Sequence, residues 1–362
     1  MFQRGSTFDG TNCTSLLTIM PISSDVSARL LDFHRNSHFA VRGGIVTDLD
    51  GTAVHERDGR IYVAEPVAEG LKALVELGRP VVLNTLRFPL NVIQTFGREW
   101  SSITAEPVPL VSLNGSVLGL LTPTDVGETT FEELVAFPLS NEQLEETVRG
   151  LEKLLADGVD NIVLFHYARD WREGEIIWTP RPEREDALRN KYLSASRVHS
   201  APLPALHDLL LSQGATMLSV LADIPEDRRM AYQHTNPNRV ITAAGVDKLS
   251  GAREAAARLG FDLDQSVGAG DTPMDNFLSG VALAFHVGPL NLDFRGRNDT
   301  IRLGDPFQLG TALFELAALQ RAEPHIAGQT TQHAGQHAAQ HAAQHASQQV
   351  AQHATQHSGK SA

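Results

Sequence analysis

One cysteine, Cys13, is all the 362-residue chain contains, which excludes an internal disulfide and a thiolate-bound metal cluster. Long apolar runs are missing too. None approaches the roughly 20 residues a bilayer span needs, and the first forty residues lack a basic segment leading into a long apolar one. The reading is a soluble, cytoplasmic protein with no membrane partner. Positive charge is scarce, with 30 Lys and Arg against 43 Asp and Glu and a formal net charge of −13. Nucleic-acid binding rests on clustered cations, so no nucleic-acid partner is expected. A small anionic substrate stays open if a metal or a few local cations receive it. What is present is 42% hydrophobic sequence, enough for a large core and two domains.

Composition divides the chain into five stretches. Residues 1–40 show no long periodic segment and read as a partly ordered extension. From 41 to 122 short apolar strands (45–49, 81–83, 110–113) alternate with a helix over 66–77, which has Pro66 in its first turn and Gly78 as its stop. That alternation predicts an α/β fold, a doubly wound parallel sheet covered on both faces. Residues 123–239 have a different texture. Ser140 with Gln143 forms a capping-box signal before a helical stripe, and strand candidates at 161–165, 175–178 and 216–221 suggest an α+β insert. The strand and helix alternation resumes over 240–320. Residues 321–362 form a low-complexity tail of His, Gln and Ala with a four-residue repeat from Gln332. It has no apolar face to dock, so a disordered or fluctuating helix is expected; His333, His337, His341 and His345 could take up Zn or Ni adventitiously without this being a function.

Chemistry concentrates in two acidic strand ends. In "IVTDLDGTA" (Ile45 to Ala53) residues two apart share a face of the strand, so Asp48 and Asp50 project together near the carboxyl end of a parallel sheet, where such folds bind ligands. Alone, this could be a polar strand end followed by an ordinary Asp-Gly turn. "VGAGDTPMDNF" (Val267 to Phe277) repeats the pattern with Asp271 and Asp275. The two clusters can meet across the sheet and hold a hard divalent cation through oxygen ligands. Thr85 ends another short strand, and Lys248 opens the helix before the second cluster. Each has a plain alternative, Thr85 as a turn residue and Lys248 as a solvated helix residue. Together, a carboxylate nucleophile, a hydroxyl, a cation and a metal site make up a phosphoryl-transfer set.

With DLDGT (Asp48 to Thr52), Thr85, Lys248 and GDTPMD (Gly270 to Asp275) in this order, the chain resembles the haloacid dehalogenase superfamily of phosphohydrolases. The long insert, preceded by Asn114-Gly115, is similar to the subclass with a large α+β cap, which includes the Cof-type sugar phosphatases. The resemblance implies a Rossmann-like core with an inserted cap. It implies Asp48 as nucleophile, Asp50 as general acid and base, and Thr85 and Lys248 on the phosphoryl oxygens. Mg²⁺ would be held by Asp48, the backbone carbonyl of Asp50, Asp271 and Asp275. The resemblance also implies a small phosphorylated substrate, most readily a sugar phosphate. Two positions depart from the subclass pattern: Leu86 where glycine is usual, and Met274 where asparagine is usual. For substrate contacts the candidates are Arg87, Asn114, His166, Arg169 and Arg181. The stretch from Phe165 to Trp178 is suited to stacking on a sugar and pairing with an anion, or is simply a polar hairpin. A phosphomutase and a non-catalytic binding protein of the same fold are the alternative functions, and the sequence carries no signal of oligomeric state.

Overall fold

The computed structural model describes residues 22–57, 59–124, 128–222 and 239–322; Cys13 and the histidine repeat lie outside the described residues. The chain enters through two helices, α1 (Ser24–Asn36) and α2 (Phe39–Arg42), where the sequence reading expects a partly ordered extension. The reason is a short but sufficient stripe. Val26, Leu30 and Phe33 fall at i, i+4 and i+7 and are buried, and Ser23 caps the helix by accepting from the Val26 N–H. Arg29 then ties α1 to the far edge of the protein, donating to both carboxylate oxygens of Asp299 at 2.8 and 2.5 Å.

The first part of the core runs through β1 (Ile45–Thr47), the hairpin β2 (Val54–Arg57) and β3 (Arg60–Val63), α3 (Glu65–Val75), β4 (Val81–Asn84) and α4 (Pro89–Ile103). It continues with β5 (Val108–Ser112), β6 (Val117–Pro123) and β7 (Thr129–Ala136). The insert follows as α5 (Asn141–Ala156), β8 (Ile162–Tyr167), β9 (Glu175–Thr179), α6 (Glu185–Lys191), β10 (Ala195–Ser200), α7 (Leu203–Gln213), β11 (Met217–Ala222) and β12 (Arg239–Ile241). The core closes with α8 (Lys248–Leu259), β13 (Val267–Gly270), β14 (Leu283–Val287), β15 (Asp299–Leu303) and α9 (Pro306–Ala322).

The large sheet has the order β15-β14-β13-β1-β4-β5-β6-β7. Its strands are parallel from β15 to β5, and β6 and β7 add antiparallel. The sheet therefore extends to Ala136, whereas the sequence reading ends this part of the core at 122. Strand β1 is central. The chain builds outward from it through β4 and β5 and later, on its other side, through β13, β14 and β15. The carboxyl ends of β1, β4 and β13 thus converge at the point where the winding direction reverses, which is where α/β sheets bind ligands.

The insert forms a second sheet of order β10-β9-β8-β11-β12. Because side chains alternate along a strand, its two faces differ. Leu164, Trp178 and Leu218 pack with Leu144, Leu151, Leu206 and Leu210 of α5 and α7. Phe165, Tyr167, Ile177, Val198 and Met217 face the other way and join the hydrophobic cluster of the large sheet. Direct cap-to-core contact comes from the Tyr167 ring, 5.6 Å from that of Phe88, and the Trp171 ring, edge-on to Phe131 at 5.0 Å. No helix among the described residues is long and apolar enough to cross a membrane.

Candidate active site

Asp48 is the first residue after β1, and its N–H donates to the Ala269 carbonyl of β13 at 2.9 Å, continuing the parallel ladder into the loop. Three residues on, Gly51 has φ +77°, and a Cβ there would lie 2.1 Å from Asp271 Oδ2. Only glycine lets the two acidic loops come this close. The Thr52 hydroxyl then donates to Asp271 Oδ1 at 3.1 Å. Lys248 opens α8, whose N-cap is Asp247 in a capping box with Ser250. Its side chain runs inward and is 2% exposed, so the solvated alternative does not hold. The Lys248 ammonium donates to Asp48 Oδ1 at 2.7 Å and to Asp275 Oδ1 at 2.6 Å. Asp275 Oδ2 in turn accepts from the backbone N–H groups of Asp271 and Thr272 and from the Thr272 hydroxyl.

Charge in this cluster is out of balance. Oxygens of Asp48, Asp271 and Asp275 lie within 4.8 Å of one another, and among the described residues Lys248 is the only cation in salt-bridge contact with them. Burial pushes the Asp48 carboxyl up to about 8; Lys248 opposes the rise, and the charges of Asp275 and Asp271 add to it. Burial and the Asp275 charge also raise Asp271, against the hydrogen bonds from Thr52 and Asp48 and the Lys248 charge. For Lys248, burial works to lower the pKa, but Asp48 and Asp275 outweigh it and raise it. An all-oxygen donor set carrying excess negative charge fits a hard divalent cation. The hydrogen bonds sort the three carboxylates: Asp275 has donors on both oxygens, so Asp48 and Asp271 are the freer ligands.

Thr85 follows β4 and is fully buried, its hydroxyl accepting from the Arg87 N–H at 3.2 Å. Leu86 needs no glycine, because among the described residues the only non-glycine positive φ values belong to Leu113 and Asn114. Asp50 turns away from the cluster and is gripped bidentately by Arg87, Nε to Oδ2 at 2.7 Å and Nη2 to Oδ1 at 2.6 Å. Arg87 also donates to Asn91 and lies over the Phe96 ring. This candidate substrate ligand is therefore engaged with a neighbouring candidate acid.

The cap candidates fare differently. His166 sits on the helix-facing side of the cap sheet, fully buried, with Nε2 bonded to the Gly214 carbonyl at 2.9 Å. The alternation of β8 places it opposite to Phe165 and Tyr167. Arg169 forms a bidentate pair with Glu133 of β7 at 2.9 and 2.7 Å. Arg181 lies beyond the far end of β9, paired with Glu183 and Asp160. None of the three presents a free group to the carboxylate cluster. Asn114 is close to the site, with its N–H donating to the Thr85 carbonyl at 3.3 Å.

Several supporting residues escape the sequence reading. Asn84 donates to the Lys248 carbonyl at 2.9 Å and so joins β4 to α8. Asn276 accepts from the Leu249 N–H and donates to Asp247 Oδ2, joining the second acidic loop to the same helix start. Asn276 follows Asp275 directly, and Asp247 precedes Lys248. Both flank motif residues, which was the available signal.

The model of the haloacid dehalogenase-like hydrolase family matches residues 45–284. The chain belongs to this family. Among solved structures, the hydrolase is similar to the HAD subclass IIB sugar phosphatase BT4131, at 14% identity over 78% of this chain and 98% of that one, TM-score 0.53. It is similar also to the HAD-superfamily phosphatase BT1666 from Bacteroides thetaiotaomicron, at 14% identity over 77% and 96%, TM-score 0.53. A HAD/COF-like hydrolase from Plasmodium vivax aligns at 16% identity over 81% and 99%, TM-score 0.55. At these identities the likeness establishes the fold. No curated protein matches the chain by sequence.

Proposed function

We propose that this hydrolase is a Mg²⁺-dependent phosphatase that removes the phosphoryl group from a small metabolite, a sugar phosphate being the first class to test. One observation carries the reading: a buried ammonium is shared by Asp48 and Asp275 beside a third carboxylate. Lys248 holds Asp48 Oδ1 and leaves Oδ2 to attack phosphorus. The ester P–O bond breaks as the phosphoryl group passes to Asp48, and Asp50 gives a proton to the departing alcohol. Asp50 then takes a proton from water, which cleaves the aspartyl-phosphate and releases inorganic phosphate. Arg87 occupies both Asp50 oxygens, so this pair has to open before Asp50 reaches the leaving group.

Thr85 and Lys248 bind the phosphoryl oxygens and offset charge as it develops. Asp48, Asp271 and the Asp50 carbonyl would hold Mg²⁺, with Asp275 behind them fixing the loop and Lys248. When bound, the ion supplies a Lewis acid that draws charge from the phosphoryl oxygens. Two solved relatives described as phosphatases, one of them a subclass IIB sugar phosphatase, support the reaction class.

The test is a panel of phosphate esters, sugar phosphates included, assayed for released phosphate with Mg²⁺ and with EDTA, for wild type and Asp48→Asn. Release by the wild type with Mg²⁺ alone is expected. An absence of turnover on every ester overturns the proposal, and isomerised sugar phosphate without free phosphate replaces it with a mutase.

A further inference from the structure

Three consecutive residues between β5 and β6 occupy the left-handed region: Leu113 (φ 51°), Asn114 (φ 57°) and Gly115 (φ 93°). Glycine adopts this region freely and asparagine tolerates it, but leucine does so at a cost. The turn is not a surface accident. Leu113 is 1% and Asn114 9% exposed, and the turn is wedged between two elements of the proposed site. On one side, the Asn114 N–H donates to the Thr85 carbonyl and the Leu113 N–H to the Arg87 carbonyl. On the other, a Cβ on Gly115 would fall 2.1 Å from the carbonyl oxygen of Asp247, the residue before Lys248.

Strain of this kind persists where the surroundings over-determine it, commonly at ligand sites. Two of the three side-chain positions have a structural use. Leu113 plugs the main core, and the bare Gly115 lets α8 approach. Asn114 has none: its side-chain amide has no hydrogen-bond partner among the described residues, and although the residue is nine-tenths buried the amide itself still reaches solvent. An amide held in place by its turn, without a protein partner and open to solvent, is free to bond an incoming ligand.

We propose that Asn114 is a further substrate-binding residue: its side-chain amide donates a hydrogen bond to an oxygen of the substrate's phosphoryl group, beside Thr85 and Lys248. The left-handed turn holds it there. This rests on the phosphatase reading above, and it adds a neutral donor to a site whose other groups are charged or hydroxylic.

Two variants that keep the backbone test it. Asn114→Gly removes the amide and tolerates the same φ; Asn114→Asp keeps size and turn preference but replaces the donor with a negative charge. Each is compared with wild type for melting temperature, for kcat and KM on 4-nitrophenyl phosphate, and for calorimetric binding of inorganic phosphate with Mg²⁺ present. The expected result is an unchanged melting temperature for Asn114→Gly, with kcat/KM and phosphate affinity each about 10- to 100-fold lower. Asn114→Asp should fall further still. Wild-type phosphate affinity in Asn114→Gly, or an Asn114→Asp variant that outperforms it, overturns the proposal. If the wild type binds phosphate but hydrolyses no ester, the phosphatase reading fails on its own account, while the binding comparison still decides the role of Asn114.

Discussion

The carboxyl edge of the core sheet and the inner face of the cap are built on opposite plans. At the sheet edge, charge is buried in excess, with Asp48 and Asp275 on Lys248 and Asp271 alongside. On the cap face the side chains are Phe165, Ile177, Val198 and Met217, and Glu175, the one buried acid of the insert among the described residues, is satisfied by the neutral hydroxyls of Tyr167 (2.6 Å) and Ser194 (3.0 Å). Three cap arginines are paired with acids: Arg169 with Glu133, Arg172 with Asp170 and Arg181 with Glu183. On the proposed function, the reacting charge belongs to the core, and the described cap face adds an apolar wall. Buried charge is costly unless paired or metal-bound, so it persists where chemistry requires it.

If that division holds, the largest effects lie at the sheet edge. Asp48→Asn removes the proposed nucleophile while keeping its shape, and turnover of any accepted phosphate ester should fall about 10⁴-fold or more. Wild-type rates in that variant would move the chemistry elsewhere. Lys248→Met comes next. It removes a phosphoryl-binding cation, for which a loss of about 10²- to 10³-fold in kcat is expected, and it leaves two buried carboxylates facing each other. Denaturant unfolding without Mg²⁺ should show lower stability, by about 3–5 kcal/mol if both carboxylates remain charged. Added Mg²⁺ should restore part of it.

The same contrast governs what the sequence could reveal. At the core, local order was enough. Apolar strands end in Asp48, Thr85 and Asp271, and strand direction alone sends those side chains to one edge. The helix stops at Gly78 and Gly260 and the capping box at Ser140 were equally legible. In the cap, knowing the residue types was insufficient. His166 and Tyr167 are neighbours, and only the pairing of β8 with β9 and β11 determines which of them faces the core. Arg169 looks like an anion ligand until β7, more than thirty residues earlier in the chain, brings Glu133 to it. Helix α1 was readable in principle from Val26, Leu30 and Phe33, but its partner α9 lies at the other end of the described chain.

His166 offers a sharper test of the cap side. Burial lowers its pKa, the Gly214 hydrogen bond opposes this, and Arg197 and His199 add to the lowering. The folded state therefore keeps the imidazole neutral, while the unfolded chain takes up a proton at the ordinary value near 6.5. Because the unfolded state binds more protons below that value, stability should be full above about pH 6.5 and should decline as the pH falls towards about 5. His166→Leu, whose neighbours Leu164 and Leu218 are apolar, should flatten that decline relative to wild type in denaturant midpoints and leave turnover unchanged. A large loss of turnover with an unaltered pH slope would return His166 to the substrate site.

The smallest expected effect is at the seam between the two regions. The Arg169–Glu133 pair is bidentate but partly exposed, with side chains 43% and 21% accessible, so solvent screening holds its worth to about 1 kcal/mol or less. The edge-on contact of Trp171 with Phe131 remains when the pair is removed. Arg169→Ala should therefore lower the melting temperature by only a few degrees and leave KM for the accepted ester unchanged. A double-mutant cycle with Glu133→Gln separates the two roles. If Arg169 serves as a tether, the double variant should be no less stable than Arg169→Ala alone, because the second change has nothing left to break. If Arg169 instead reaches the substrate, KM should rise about tenfold or more whether or not Glu133 is present, and the assignment of charge to the core alone would be broken.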